Sequence, residues 1–226
     1  AASSVNTFNI DLMHGLPGQT LQQGLDDLEQ GLSFGTDHLS WYQLTIEPNT
    51  QFYSQPPNLP EEEILFDIQD QGQALISKAS LAQYEISAYS KPGSEARHNL
   101  NYWQFGDYIG VGAGAHGKLS HIDDGAMVIN RSVKLRQPKA YMDAISPLAM
   151  SHLVSQDELK LEFFMNALRL KQGVSYKTYA SQTGQPFKRV EAFVQFATQK
   201  GLMEPNRLQA TPLGWRFLND LLGYFE

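Results

Sequence analysis

Short β-rich stretches alternate with amphipathic helical stretches through the first half of this 226-residue sequence, and that alternation constrains the fold more than any other feature. Val5 to Leu12 reads as a strand and runs into the turn cluster His14-Gly15-Leu16-Pro17-Gly18. Thr20 can cap the following helix, whose apolar side is Leu21, Leu25, Leu28 and Leu32, with Asp26, Asp27 and Glu29 on the wet side. A second strand is predicted over His38 to Ile46, then a loop with prolines between Pro48 and Pro60. The run Glu61-Glu62-Glu63 places negative charge at the positive end of a helix that buries Ile64, Leu65, Ile68, Leu75 and Ile76. Tyr84 to Tyr89 and Tyr108 to Val111 are expected to be third and fourth strands. Strands separated by helices of this length imply βα units and a parallel sheet. Four such strands do not close an eight-stranded barrel, and an open sheet leaves edges that proteins normally cover.

Met127 to Met150 loses any clear period and is read as a connector. Helices are expected over Glu158 to Leu170, Ser175 to Gln182, Phe187 to Lys200 and Leu213 to Phe225. A small hairpin is expected at Leu202 to Glu204 and Arg207 to Ala210, which gives a winged-helix-like layout. The expected division is residues 1–126, a connector over 127–150, and a helical C-terminal domain over 151–226, in an α/β fold class.

Hydrophobic residues make up 42% of the chain and charged residues 18%, as in ordinary globular domains, and no apolar run approaches the roughly 20 residues that span a bilayer. No signal peptide pattern is visible, so a cytoplasmic location is expected. Ala1 reads as an internal position of a longer protein. The chain has no cysteine, which excludes disulfides, a thiolate nucleophile and a cluster held by its own cysteines. The net charge of −7 argues against nucleic acid as a partner. From Ser151 onward nine Lys/Arg stand against seven Asp/Glu, a small surplus that gives a DNA-binding regulator little support.

Three segments could carry chemistry. Asp11 to Thr20 (DLMHGLPGQT) lies where a strand ends and a helix begins, the place where α/β folds bind ligands. Asp11 could accept hydrogen bonds from a ribose or an amine, or could serve only as a cap of the corner. Gly110 to Gly117 (GVGAGAHG) resembles a phosphate-binding loop, but no periodic helix follows, and a tight corner explains it equally. Arg97 to Trp103 (RHNLNYW) gathers an imidazole, two amides and two aromatic rings in an expected loop. The imidazole could ligate iron with rings flanking a porphyrin, or could be an ordinary loop histidine. His14, His38, His121 and His152 have no zinc-like spacing, no GxSxG elbow is present, and neither a catalytic residue nor a metal ligand is nominated.

In this order, IDLMHGLPGQT, HLSWYQLTIEPNT, YEISAYSKPG, HNLNYWQFGDYIGVGAGAHGK and EFFMNALRL resemble the radical SAM haem-chaperone family of the HemW type, a relative of oxygen-independent coproporphyrinogen III oxidase. The resemblance runs from about Val5 to the C-terminus. It implies part of a (β/α)6-type barrel followed by a helical domain. S-adenosyl-L-methionine would lie against Asp11, Thr45 and His116, and haem against the HNxxY residues His98, Asn99 and Tyr102. The family holds a [4Fe–4S] cluster on a CxxxCxxC motif that this chain lacks, so the expectation is a C-terminal fragment, with the cluster only in the full-length protein and no catalysis by this chain alone.

The expected function is haem binding and delivery to haem-accepting respiratory proteins, membrane-associated recipients among them. The alternative is an oxidase of porphyrin biosynthesis, and the HNxxY pattern favours the chaperone.

Overall fold

The computed structural model describes residues 7–225, so the start of the first expected strand lies outside the described residues. The chain divides into two compact units between Ala96 and Arg97.

In the first unit, β1 (Asn9–His14) leads through the HGLPG turn into α1 (Leu21–Ser33). The turn is fixed by Gln19, whose side-chain oxygen accepts the N–H groups of Gly15 (2.8 Å) and Leu16 (3.2 Å) while its amide donates to Asp27 (3.0 Å). Thr20 and Gln23 form a reciprocal capping box at the start of α1. Then come β2 (His38–Gln43), a short α2 (Gln51–Ser54), α3 (Glu62–Lys78), β3 (Ala82–Glu85) and β4 (Ala88–Ser90). The sheet order is β1-β2-β4-β3. Only β1 and β2 are parallel, whereas β4 is antiparallel to both β2 and β3. The single strand expected over Tyr84 to Tyr89 is therefore a hairpin turning at Ile86 and Ser87.

One face of this sheet packs on α1 and α3. Leu28, Leu39, Trp41, Ile68, Ile76, Leu81 and Tyr89 are its buried core, with Ile10 and Leu12 against it. Side chains of this kind contribute about 1.5–3 kcal/mol each when fully buried. Trp41 lies on α3 because position 72 is glycine: a Cβ there would sit 2.1 Å from the indole.

The second unit begins with α4 (Arg97–Trp103), a helix where a loop was expected. The strands β5 (His116–Asp123), β6 (Ala126–Lys134) and β7 (Leu148–Leu153) form an antiparallel meander, with α5 (Pro138–Asp143) before β7. Asp124 and Gly125 both have positive φ, as a tight hairpin turn requires. Residues 127–150, read from sequence as a connector, thus supply two of the three strands. They alternate too weakly in polarity to announce it, because β7 is exposed along its whole length. The expected strand at Tyr108 to Val111 reduces to one bridge, Tyr108 to Lys118.

The helical part follows the expected order: α6 (Gln156–Ala167), α7 (Tyr176–Thr183), α8 (Lys188–Gln199), α9 (Pro212–Arg216) and α10 (Leu218–Gly223). Antiparallel bridges join Met203 to Ala210 and Val174 to Leu208. The expected last helix breaks at Phe217, whose φ of −113° and ψ of 43° are not helical. α6 buries Leu159, Phe163, Phe164 and Ala167 at the centre of an aromatic core that includes Phe105, Tyr179 and Phe225. Phe164 stacks on Phe225 with ring centroids 4.0 Å apart.

Candidate functional site

In the first unit, Asn9, Asp11 and Met13 alternate out from β1 on the face opposite the helices, in register with His38, Ser40 and Tyr42 of β2. A chain of hydrogen bonds crosses three strands here. Asn9 Nδ2 donates to Asp11 Oδ1 (2.7 Å), and Asn9 Oδ1 meets His38 Nδ1 (2.6 Å) and accepts from Ser40 Oγ (3.3 Å). His38 Nε2 lies 2.8 Å from the Tyr84 hydroxyl. The ionised Asp11 only accepts, so the Asn9 amide group must face it and the Asn9 oxygen must face His38. His38 therefore carries its proton on Nδ1 and can accept from Tyr84 on Nε2. Asp11 is exposed and caps nothing; Gln19 and Thr20 hold the corner instead. Thr45 is exposed just beyond the end of β2, where Leu44 N–H still donates to His14 O (2.8 Å).

Asp11 thus presents an exposed acceptor beside Asn9 and the half-buried Ser40. His116 is exposed at the first position of β5, so it belongs to the second unit, with the three haem candidates. The GVGAGAHG segment is a packed corner, not a phosphate cradle. Gly114 N–H donates to Leu135 O (2.8 Å), Gly112 N–H to the Tyr141 hydroxyl (3.1 Å), and a Cβ at Gly110 would lie 2.3 Å from His116 O.

In the second unit, α4 packs Leu100 and Trp103 on the aromatic core, which leaves His98 and Tyr102 exposed one turn apart. Their ring centroids are 6.3 Å apart and nearly perpendicular. Asn99 sits half-buried beside them. Tyr102 also meets Tyr108 edge to face at 4.6 Å. The helix ends in a locked turn: Gly106 N–H donates to Asn101 O (2.7 Å), and Asn101 Nδ2 to Asp107 O (2.9 Å).

A cavity of about 230 Å³ opens beside α4, walled by Tyr102, Trp103, Phe105, Tyr108, Lys118 and Arg131. Arg131 Nη1 donates to the Tyr108 hydroxyl (2.9 Å), and its Nε and Nη2 both donate to Glu162 on α6. Lys118 is buried, with Nζ donating to Phe105 O (3.0 Å), Asp107 Oδ1 (2.8 Å) and Ser120 Oγ (3.1 Å), and lying 4.3 Å from the centre of the Phe105 ring. Burial pulls the Lys118 ammonium below its ordinary range, an effect that Asp107 opposes. Burial alone would raise the Asp107 carboxyl, but hydrogen bonds from Lys118 and Ser120 together with the Lys118 charge hold it below the usual value. Sequence reasoning missed Lys118, Asp107, Tyr108, Arg131 and Glu162, and no local signal in the sequence marks them.

Aromatic walls and an exposed imidazole suit a flat apolar ligand that carries a metal. The cavity is smaller than the roughly 300–1,000 Å³ of pockets that enclose drug-sized ligands, so it can take only part of such a ligand. Among the described residues, no group of three or more His, Asp or Glu side chains is arranged to hold a metal ion.

The family model of the HemN C-terminal domain matches residues 154–217. The chain is 44% identical over 225 residues to the haem chaperone HemW of Haemophilus influenzae, covering 99% of this chain and 58% of that protein. It is 32% identical to that of Bacillus subtilis, covering 96% and 58%. The structure of coproporphyrinogen III oxidase (HemN) from Escherichia coli, a radical SAM enzyme, superposes with a TM-score of 0.71 at 15% identity, covering 97% of this chain and 55% of the enzyme. The chain thus spans somewhat more than half the length of these relatives, and over that span it is similar to haem chaperones of the HemW type and carries a segment matching the HemN C-terminal domain.

Proposed function

We propose that this chain provides the haem-carrying surface of a haem chaperone, with the cargo held at α4. The observation that carries the reading is the exposed His98, one turn from Tyr102, whose ring lines an aromatic cavity together with Arg131, itself paired with Glu162. The His98 imidazole would ligate the iron, and Asn99 and Tyr102 would line the macrocycle. The second-unit site lies in a rigid helix against a packed core, which keeps the ligand set preorganised. Respiratory haem proteins, some at membranes, are the proposed recipients.

On the same reading the β1–β4 sheet is part of a radical SAM barrel in a cytoplasmic protein. Its open polar face, with Asp11 and Thr45, would receive S-adenosyl-L-methionine. Bound there next to a [4Fe–4S] cluster, that cofactor would supply reductive cleavage chemistry. The chain has no cysteine, so cluster ligands would have to come from another segment. Asp11 would accept hydrogen bonds from the cofactor, and Asn9 and His38 would hold Asp11 in place.

A haem titration followed in the Soret region, on this chain and on His98→Ala, tests the proposal. The expected result is a saturable one-to-one band that the substitution abolishes. Equal binding by both proteins would move the haem away from α4.

A further inference from the structure

Gln185 has an unmet hydrogen-bond donor in a polar recess of the helical domain. Its side chain is only 8% exposed. The Oε1 atom accepts the Tyr179 hydroxyl proton (3.1 Å), and the backbone N–H donates to Thr183 Oγ1 (3.2 Å), but the buried Nε2 has no partner. A buried amide donor without an acceptor is costly and usually marks a missing water, ion or ligand. Tyr179 is fully buried, and Gly184 sets the turn with a left-handed φ of 68°, so the orientation of Gln185 is built in.

The recess measures about 130 Å³ and is walled by Gln156, Asp157, Lys160, Gln185 and Arg189 together with the Tyr179 edge. Lys160 comes from α6, Gln185 from the α7–α8 turn and Arg189 from α8. Neither cation is in an ion pair among the described residues. Gln156, Asp157 and Lys160, all on α6, line the same space. Asp157 is the one carboxylate present, so the recess keeps a positive surplus. Water would satisfy Gln185 Nε2 but would leave the two cations with only Asp157 to offset them.

We propose that this recess is an oxyanion site, separate from α4 and from the β1–β4 face, that takes the phosphate or carboxylate group of a small ligand. Gln185 Nε2 is its buried donor, and Lys160 and Arg189 are its charges. Both kinds of anion present the same acceptor oxygens, and size sets the limit: the recess holds one such group and not the body of a large ligand.

Calorimetric titration of the intact chain with inorganic phosphate, and separately with acetate, at constant ionic strength tests this. The comparison proteins are Lys160→Gln/Arg189→Gln and Gln185→Glu. The first changes surface side chains only. The second keeps the acceptor for Tyr179 but replaces the donor by a carboxylate that pairs with the two cations. At least one anion is expected to saturate the intact chain, to bind about tenfold or more weakly to the double variant, and not to bind to Gln185→Glu, whose circular dichroism stays native. Saturation by phosphate alone assigns a phosphate ligand; saturation by acetate as well assigns a carboxylate-tolerant site. Failure of both anions to saturate the intact chain, or equal binding by all three proteins, would overturn the proposal.

Discussion

The Lys118 ammonium, 1% exposed, sits 2.8 Å from the Asp107 carboxylate. The carbonyl of Phe105 and the hydroxyl of Ser120 complete its three acceptors, so it is held as a cation beneath the α4 cavity. Removing the carboxylate leaves a buried charge with neutral partners only, whereas removing the lysine leaves a partly exposed carboxylate that water can reach. Asp107→Ala is therefore expected to destabilise the protein by about 2 kcal/mol, and Lys118→Met by clearly less. Urea denaturation of the two variants checks the order, and a larger loss in Lys118→Met would contradict it.

The contact between Gly72 and Trp41 predicts a steric cost. A Cβ at position 72 would lie 2.1–2.9 Å from three indole carbons of a side chain that is 3% exposed. Overpacking of this sort costs about 1–3 kcal/mol, against about 1 kcal/mol gained in helix propensity on replacing glycine. The net is a loss of up to about 2 kcal/mol for Gly72→Ala, toward the upper end because the rigid indole cannot give way. Gly24→Ala makes a useful contrast, because its Cβ would meet Ile68 Cδ1, Cγ2 and Cγ1 at 3.2–3.3 Å, a much milder overlap than at position 72; it should cost clearly less. Equal melting temperatures for the two variants would refute the packing argument.

The elements with strong local signals were legible in the sequence: the Thr20 cap and leucine stripe of α1, the acidic start of α3, and the apolar run of α6. What escaped was non-local. Whether Tyr84 to Tyr89 forms one strand or a hairpin depends on β4 pairing with His38 to Ser40, contacts made some 50 residues away along the chain. The amides and aromatics of the α4 segment are poor helix formers, and Leu100 and Trp103 packed on the core override that preference. His98 and Tyr102 could be named from resemblance, but Arg131, Glu162 and Lys118 could not, since each is brought to the cavity by strand register or by a helix far off in sequence.

His14 ties stability to pH. It is 1% exposed, lies against Trp41 with ring centroids 4.4 Å apart, and neither ring nitrogen meets a partner in hydrogen-bonding geometry. Burial lowers its pKa below 6.5, and the Gln69 side chain nearby offsets only part of that. The unfolded chain therefore takes up the proton first as pH falls. Stability is complete above 6.5, declines from there to the lower folded-state pKa by up to about 1.4 kcal/mol per pH unit, and falls no further for this group below it. Denaturation midpoints measured from pH 7.5 to 5 should show this slope in the parent chain and lose it in His14→Leu. An unchanged slope in the variant would assign it to other groups.

The Tyr102 ring, 36% exposed, contacts His98 on one side and Tyr108 on the other. It therefore contributes little to the core and much to the shape of the cavity mouth. If its ring flanks the cargo, the hydroxyl is dispensable and the ring is not. Tyr102→Phe should then bind haem within about twofold of the parent chain. Tyr102→Ala, which loses an aromatic contact of about 1–1.5 kcal/mol, should bind about tenfold more weakly with an unchanged melting temperature. Tyr108→Phe separates the supporting role: it keeps the edge-to-face contact but frees Arg131 Nη1, so it should cost about 1 kcal/mol of stability and leave haem affinity nearly intact. Weak binding by Tyr102→Phe would instead make the hydroxyl the contacting group, and haem would then be held by a hydrogen bond rather than by the ring face.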